Sequence, residues 1–126
     1  MEIPAEEIEF PEVAAGIAWL DHRVPGWASM INLKTLDLRS PADCVACQAA
    51  AIRHYSKACD RLGIRLYPFY LAEIPESLKL GFDYKNGSHS KGRIYWFKHA
   101  EAQWRRAIAD RLARRDHAPT PKGAIP

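Results

Sequence analysis

The sequence has no hydrophobic run as long as the roughly 20 residues that a membrane-spanning helix needs. Its first segment, residues 1–11, is acidic and contains prolines, and it lacks the basic and then apolar order of a secretory signal. We therefore expect a cytoplasmic protein that does not associate with membranes. The chain has only three cysteines, an odd and low number that argues against a disulfide framework.

Sequence signatures of catalysis are also missing. The five histidines fall in no His-Glu-x-x-His pattern, and no serine lies in a nucleophile elbow. Residues 85–93 have the glycines and serines of a phosphate-binding loop but not its order, because Arg93 stands where a serine or threonine should be. We interpret this segment as a flexible, solvated connection. The sequence predicts a non-enzymatic protein with no cofactor.

The spacing Cys44-x-x-Cys47 is half of a zinc or thiol-redox motif. A structural zinc site needs four ligands, and a continuous helix over 41–62 would place Cys59 about 18 Å along the axis from Cys47. Cys59 also falls on an apolar face, where a free thiol behaves as a small hydrophobe. The sequence therefore predicts no bound metal, and a redox role for Cys44 and Cys47 is only a minor alternative.

The clearest pattern in the chain is helical. Apolar residues recur every three or four positions and predict helices over about 11–22, 41–62 and 93–115. A capping box, in which Ser40 and the Asp43 carboxylate would satisfy each other's backbone amides, predicts the start of the 41–62 helix. Gly63 predicts its end.

These elements predict a mostly α fold with little or no β structure. A chain of 126 residues suits one domain, which we place at 11–115 between loose termini at 1–10 and 116–126. The 41–62 and 93–115 helices are expected to pack together, with the N-terminal helix against them. Their apolar stripes predict a shared core that contains Ile52, Leu62, Phe97, Trp104 and Ile108.

Charge is unevenly distributed, although the net charge is only +3. Residues 1–40 carry three basic and seven acidic side chains, whereas residues 93–126 carry eight basic and three acidic ones. A basic end can indicate an anionic partner, and a solvated charged face is the alternative. The candidate nucleic-acid or anion contacts are Lys85, Lys91, Arg93, Lys98, Arg105, Arg106, Arg111, Arg114 and Arg115.

Several short segments carry a resemblance to a known family. They are Ala14–Asp21, Val24–Trp27, Ile31–Leu38 and Asp43–Val45, with looser matches at Leu80–Asp83 and Trp104-Arg105. In this order they resemble a family of small proteins encoded by actinobacterial phages and actinobacterial genomes. The resemblance covers 13–48 well and 80–112 loosely, and it implies a phage accessory gene or a prophage remnant. Family members have a glycine in place of Cys47, so the resemblance implies no function for paired cysteines.

The leading functional hypothesis is a non-enzymatic accessory protein, encoded by a phage or prophage, that binds another macromolecule of the host or phage. A protein partner is favoured, and Trp19 and Trp27 are the candidate contacts. The main alternative is a nucleic-acid-binding protein that uses the basic C-terminal helix and the 85–93 loop. An enzyme or redox protein that uses Cys44 and Cys47 is a third and weaker reading.

Overall fold

The computed structural model describes residues 9–64, 76–84 and 91–117. Within these ranges the chain is mostly helical, as the sequence predicts, and it contains no strand. Its elements are α1 (Pro11–Arg23), a 3₁₀ helix (Trp27–Met30), α2 (Val45–Ala50), α3 (Tyr55–Leu62), α4 (Glu76–Lys79) and α5 (Gly92–His117). The predictions of an N-terminal and a C-terminal helix are thus confirmed, and α5 continues two residues beyond 115.

The helix α1 begins at Pro11, whose fixed φ suits a first helical position and whose missing N–H needs no partner there. Phe10, just before it, is buried, and the Gln103 side chain binds both of its backbone polar groups. The Phe10 N–H donates to Gln103 Oε1 at 2.7 Å, and Gln103 Nε2 donates to the Phe10 carbonyl at 3.4 Å. The prediction that residues 1–10 are loose is therefore wrong at Phe10, because this residue is held against α5.

The turn after α4 packs closely against α1 at two glycines. A Cβ on Gly16 would lie 1.9 Å from the Leu80 carbonyl oxygen, and one on Gly81 would lie 2.7 Å from Val13 Cα. Gly81 also has a φ of +70°, which side chains rarely adopt. This close approach brings Phe82 into the core, where its ring stacks on Trp104 with a centroid distance of 5.4 Å.

The predicted helix over 41–62 is wrong, because the chain forms two short helices there. Ser40 Oγ accepts the Asp43 N–H at 3.0 Å, as expected, but the Asp43 carboxylate pairs with Arg53 at 3.0 Å. Residues 41–43 are therefore a turn, and α2 begins only at Val45. It ends at Ala51, whose left-handed φ of 59° stops the helix.

The second short helix, α3, begins after His54, whose Nδ1 accepts the Lys57 N–H at 3.4 Å. It ends at Gly63, as the sequence predicts, with a φ of +81° and the Ile64 N–H donating to the Cys59 carbonyl at 2.8 Å. The break between α2 and α3 folds the two helices onto each other. They do not form one long partner for α5.

The helix α5 packs instead on α1 and the 3₁₀ helix. Trp96, Trp104 and Ile108 point into the core and are fully buried. Of the core predicted from the sequence, Leu62, Phe97, Trp104 and Ile108 are buried, whereas Ile52 is half-buried and packs against the others.

Candidate functional site

The first group of candidate residues is the row of arginines on α5, and Arg105 is the most constrained of them. Its guanidinium donates to the Leu33 carbonyl at 2.8 Å and to the Leu36 carbonyl at 2.7 Å. It also bonds to Glu101 Oε2 at 3.1 Å, and Glu101 Oε1 accepts the Leu38 N–H at 3.1 Å. This Glu101–Arg105 clamp ties the backbone of 33–38 to α5, so the charge of Arg105 serves the fold.

Arg111 has a comparable role nearer the end of α5. Its Nε donates to Asp21 Oδ1 at 2.8 Å, and a second guanidinium nitrogen bonds to Asp21 Oδ2. The same carboxylate accepts the Trp27 indole N–H at 2.9 Å, and the Arg111 guanidinium lies 5.9 Å from the Trp27 ring centroid. The Arg111 hydrogen bond lowers the pKa of Asp21, which keeps the carboxylate ionised.

Two further arginines of α5 also face acidic side chains. Arg106 pairs with Glu9 at 3.2 Å, and Arg114 pairs with Asp110 at 3.1 Å. Lys85 and the side chain of Arg115 lie outside the described residues. The described arginines from 105 to 114 are therefore compensated, and the positive charge predicted for this part of α5 is largely neutralised.

The candidate cations near the start of α5 are placed differently. Lys91, Arg93 and Lys98 are all exposed, and no ion pair joins them to a carboxylate within the described ranges. Lys91 Nζ lies 5.3 Å from the Tyr95 ring centroid, and the Arg93 guanidinium lies 5.3 Å from that of Phe97. These aromatic contacts leave the positive charges facing solvent.

A cleft of about 410 Å³ opens beside these cations, between the start of α5 and the 36–39 segment. We call it the α5 cleft, and its lining residues are Leu36, Asp37, Arg39, Ile94, Phe97, Lys98 and Glu101. Ile94 is 79% exposed, the most exposed large hydrophobic side chain among the described residues. The cleft thus combines an exposed apolar side chain with Arg39 and Lys98, neither of which is paired with a carboxylate in the described ranges, and with the exposed Asp37.

A second and larger groove of about 520 Å³ runs between α1 and α5. Ala14, Ile17 and Ala18 of α1 lie along one side of it. Its charged lining includes Arg106 and Arg111, each of which is already paired with an acidic side chain of the opposite wall. These charges therefore compensate each other across the groove.

The two tryptophans predicted to contact a protein occupy different environments. Trp27 is only 1% exposed, because its ring packs edge-on against Trp104 at 5.8 Å and its N–H binds Asp21. The structure corrects that prediction, since Trp27 offers no surface. Trp19 is half-buried, with its ring edge-on to Phe82 at 6.5 Å and the Arg23 guanidinium 5.8 Å from its centroid.

The three thiols are buried and lie near one another. Cys44 Sγ is 3.4 Å from Cys47 Sγ, which in turn lies 3.2 Å from the Pro41 carbonyl oxygen. Because α3 folds back on α2, Cys59 lies close enough to influence both thiols, which corrects the wide separation predicted from one long helix. Within the described part of the chain, no three metal-binding side chains are arranged to hold a metal ion.

Burial governs the chemistry of these thiols. It raises the pKa of Cys44 to about 12 and that of Cys59 to about 11, and it also raises the pKa of Cys47. Since the thiolate is the nucleophile and the metal ligand, raised pKa values make these cysteines weakly reactive.

Arg39 and Ile94, which line the α5 cleft, were not among the candidate contacts predicted from the sequence. Spacing gives no signal for the exposure of Ile94, because this residue lies three positions before Phe97 and fourteen before Ile108, on the same helical face as the buried stripe. The pairing of Arg105 with the backbone of 33–38 had no signal in the sequence either.

No family model, curated protein or solved structure matches this chain. The resemblance to small phage and actinobacterial proteins therefore remains an expectation from the sequence. Among the described residues no helix is long and apolar enough to cross a membrane.

Proposed function

We propose that this protein is non-enzymatic and acts by binding another macromolecule, and that this partner is a protein. The observation that carries the proposal is the α5 cleft, where an exposed Ile94 is flanked by Arg39 and Lys98. An apolar centre with a polar and charged rim is the usual composition of a protein–protein contact. The buried thiols support the non-enzymatic part, because their raised pKa values leave little thiolate for catalysis.

The setting is part of the same proposal. The sequence resemblance to proteins of actinobacterial phages suggests a phage or prophage gene whose product acts in the host cytoplasm. The partner would then be a host or phage protein. Its identity would determine at which stage of phage infection the protein acts.

The proposal is tested by affinity capture from an actinobacterial lysate, with one half of the lysate treated with nuclease. Each half is applied to the immobilised protein, and bound proteins are quantified by mass spectrometry. We expect a protein recovered equally in both halves and lost when Ile94→Ser replaces the wild type. Recovery of nucleic acid alone, or of proteins that disappear after nuclease treatment, would contradict the proposal.

Nucleic-acid binding remains the second candidate, and one observation favours it. The helices α2 and α3 are joined by a short turn through Ala51, and α3 exposes Lys57 and Arg61. Two helices joined by a short turn are the framework of helix-turn-helix proteins, whose second helix enters the major groove.

This candidate differs from the one suggested by the sequence, because it uses α3 instead of the neutralised arginines of α5. If it is correct, affinity for duplex DNA should fall with salt at a log–log slope of about −0.9 per phosphate contacted. Lys57→Gln and Arg61→Gln should flatten that slope, and Arg114→Gln should leave it unchanged. Binding to DNA that none of these substitutions alters would exclude α3 as the contact.

A further inference from the structure

We propose that the α5 cleft binds an acidic segment of the partner protein, and that one apolar side chain of this segment packs on Ile94. This inference rests on the proposed function and adds the chemistry of the partner. It follows from three features of the cleft, which are its fixed walls, its uncompensated cations and its exposed apolar side chain.

The walls of the cleft are held in place before any partner arrives. One wall is the 36–39 segment, which the Glu101–Arg105 clamp bonds to α5 through the Leu36 carbonyl and the Leu38 N–H. The other wall is the first half of α5, anchored by the fully buried ring of Trp96. A preformed surface binds more tightly than one that must be ordered, because little conformational entropy is lost on binding.

The electrostatics of the cleft favour an anionic occupant. Of its two carboxylates, Glu101 is paired with Arg105 and both of its oxygens accept bonds within the clamp. Asp37 is exposed and keeps its negative charge, although its Oδ1 accepts the Arg39 N–H at 2.9 Å, so two cations of the cleft face one carboxylate that is not neutralised. The side chains of Arg39 and Lys98 are exposed, and no ion pair joins either to a carboxylate in the ranges described. The first turn of α5 contains no acidic residue, so the positive end of its dipole adds to their field.

The apolar component of the cleft favours a peptide over a nucleic acid. Ile94 is aliphatic and cannot stack on a base, and its 79% exposure leaves it open to another apolar side chain. The nearby rings of Tyr95 and Phe97 are already in contact with Lys91 and Arg93. Single-stranded nucleic acids need open aromatic faces for stacking, and these rings do not supply them.

The test selects peptides from a yeast-displayed library of random short sequences, with the purified full chain as bait. We expect the enriched peptides to carry more Asp and Glu than the starting library, placed around one large apolar residue. Their affinity should fall at least about tenfold on Ile94→Ser and on Lys98→Glu, as for central contacts of an interface. It should also weaken as salt is raised, because the exposed charges are screened.

The matched controls are Met30→Ser and Lys79→Glu, which remove an exposed apolar side chain and an exposed cation away from the cleft. Both should bind the selected peptides like the wild type, and circular dichroism should show that all variants fold. Enrichment of neutral or basic peptides, or of none, would overturn this inference. So would peptides that bind both cleft variants normally, or self-association that is abolished by Ile94→Ser.

These outcomes are distinguishable from a failure of the proposed function. If the nuclease-resistant capture recovers a protein while the library shows no acidic preference, the protein-binding function stands and only the inferred chemistry is wrong. If capture recovers nucleic acid alone, the proposed function fails as well.

Discussion

Replacement of Arg105 by Gln tests whether this arginine of α5 stabilises the fold or is available to bind a partner. It removes the donors to the Leu33 and Leu36 carbonyls and leaves Glu101 without its cation. Hydrogen bonds from a charged donor contribute about 1.5–3 kcal/mol each. The Arg105 side chain is 37% exposed, so water replaces part of the hydrogen bonding that the substitution removes. We therefore expect a loss of about 2–3 kcal/mol in the free energy of unfolding.

Urea denaturation followed by tryptophan fluorescence measures this loss. At an m-value of about 2 kcal/mol/M, the unfolding midpoint should fall by about 1 M. Arg105→Lys should restore less than half of the stability, because an ammonium cannot reproduce the planar fork that reaches both carbonyls. The matched control is Arg114→Gln, which removes an exposed pair with Asp110 and should cost about 0.3–0.5 kcal/mol. Equal effects for Arg105→Gln and Arg114→Gln would refute the clamp.

Three further predictions concern the core, the pH dependence and the thiols. Trp104→Ala should cost about 3–5 kcal/mol in a urea titration, because the ring is fully buried and its N–H bonds to the Gly81 carbonyl at 3.1 Å. The Asp21–Arg111 pair should stabilise the fold at pH values above the unfolded pKa of Asp21, which is about 3.9. This stabilisation should be lost as the pH falls through the lower pKa that Asp21 has in the folded protein. In acid titrations of stability, Asp21→Asn should remove this pH dependence. The three buried thiols should resist Ellman's reagent in the native protein and all react after denaturation, and rapid native labelling of Cys44 would contradict their burial.

The helices α1 and α5 could be predicted from the sequence because each carries its own signals. Pro11 marks the start of α1, and the stripe through Phe97, Trp104 and Ile108 defines the buried face of α5 over its middle turns. Signals of this kind depend only on residues that are close in the sequence, so they predict a helix wherever tertiary contacts do not interrupt it.

The break between α2 and α3 could not be predicted in this way. Ala51 adopts a left-handed conformation that normally requires glycine, and alanine is the best helix former. The break is accompanied by contacts that apolar spacing does not reveal, namely the ion pair between Asp43 and Arg53 and the cap that His54 provides for α3. The apolar spacing over 41–62 correctly predicted that Cys59 and Leu62 are buried, but the prediction of one continuous helix was wrong.

The candidate site could be predicted only in part. Lys91, Arg93 and Lys98 were identified from composition, and all three are exposed at or near the start of α5 without an ion pair to a carboxylate in the described ranges. The compensation of Arg111 by Asp21 joins residues that are 90 positions apart, a distance at which spacing carries no information.

The most direct test of the account is a backbone amide NMR titration of the labelled protein with the most enriched acidic peptide from the library. We predict chemical-shift changes concentrated at Arg39, Ile94 and Lys98, where the α5 cleft would receive the peptide. Amides on the Arg106–Arg114 side of α5 should remain unchanged, because those arginines are already paired. Changes centred on α3 or on the far end of α5, with none at the cleft, would contradict the central claim that the cleft is the binding surface.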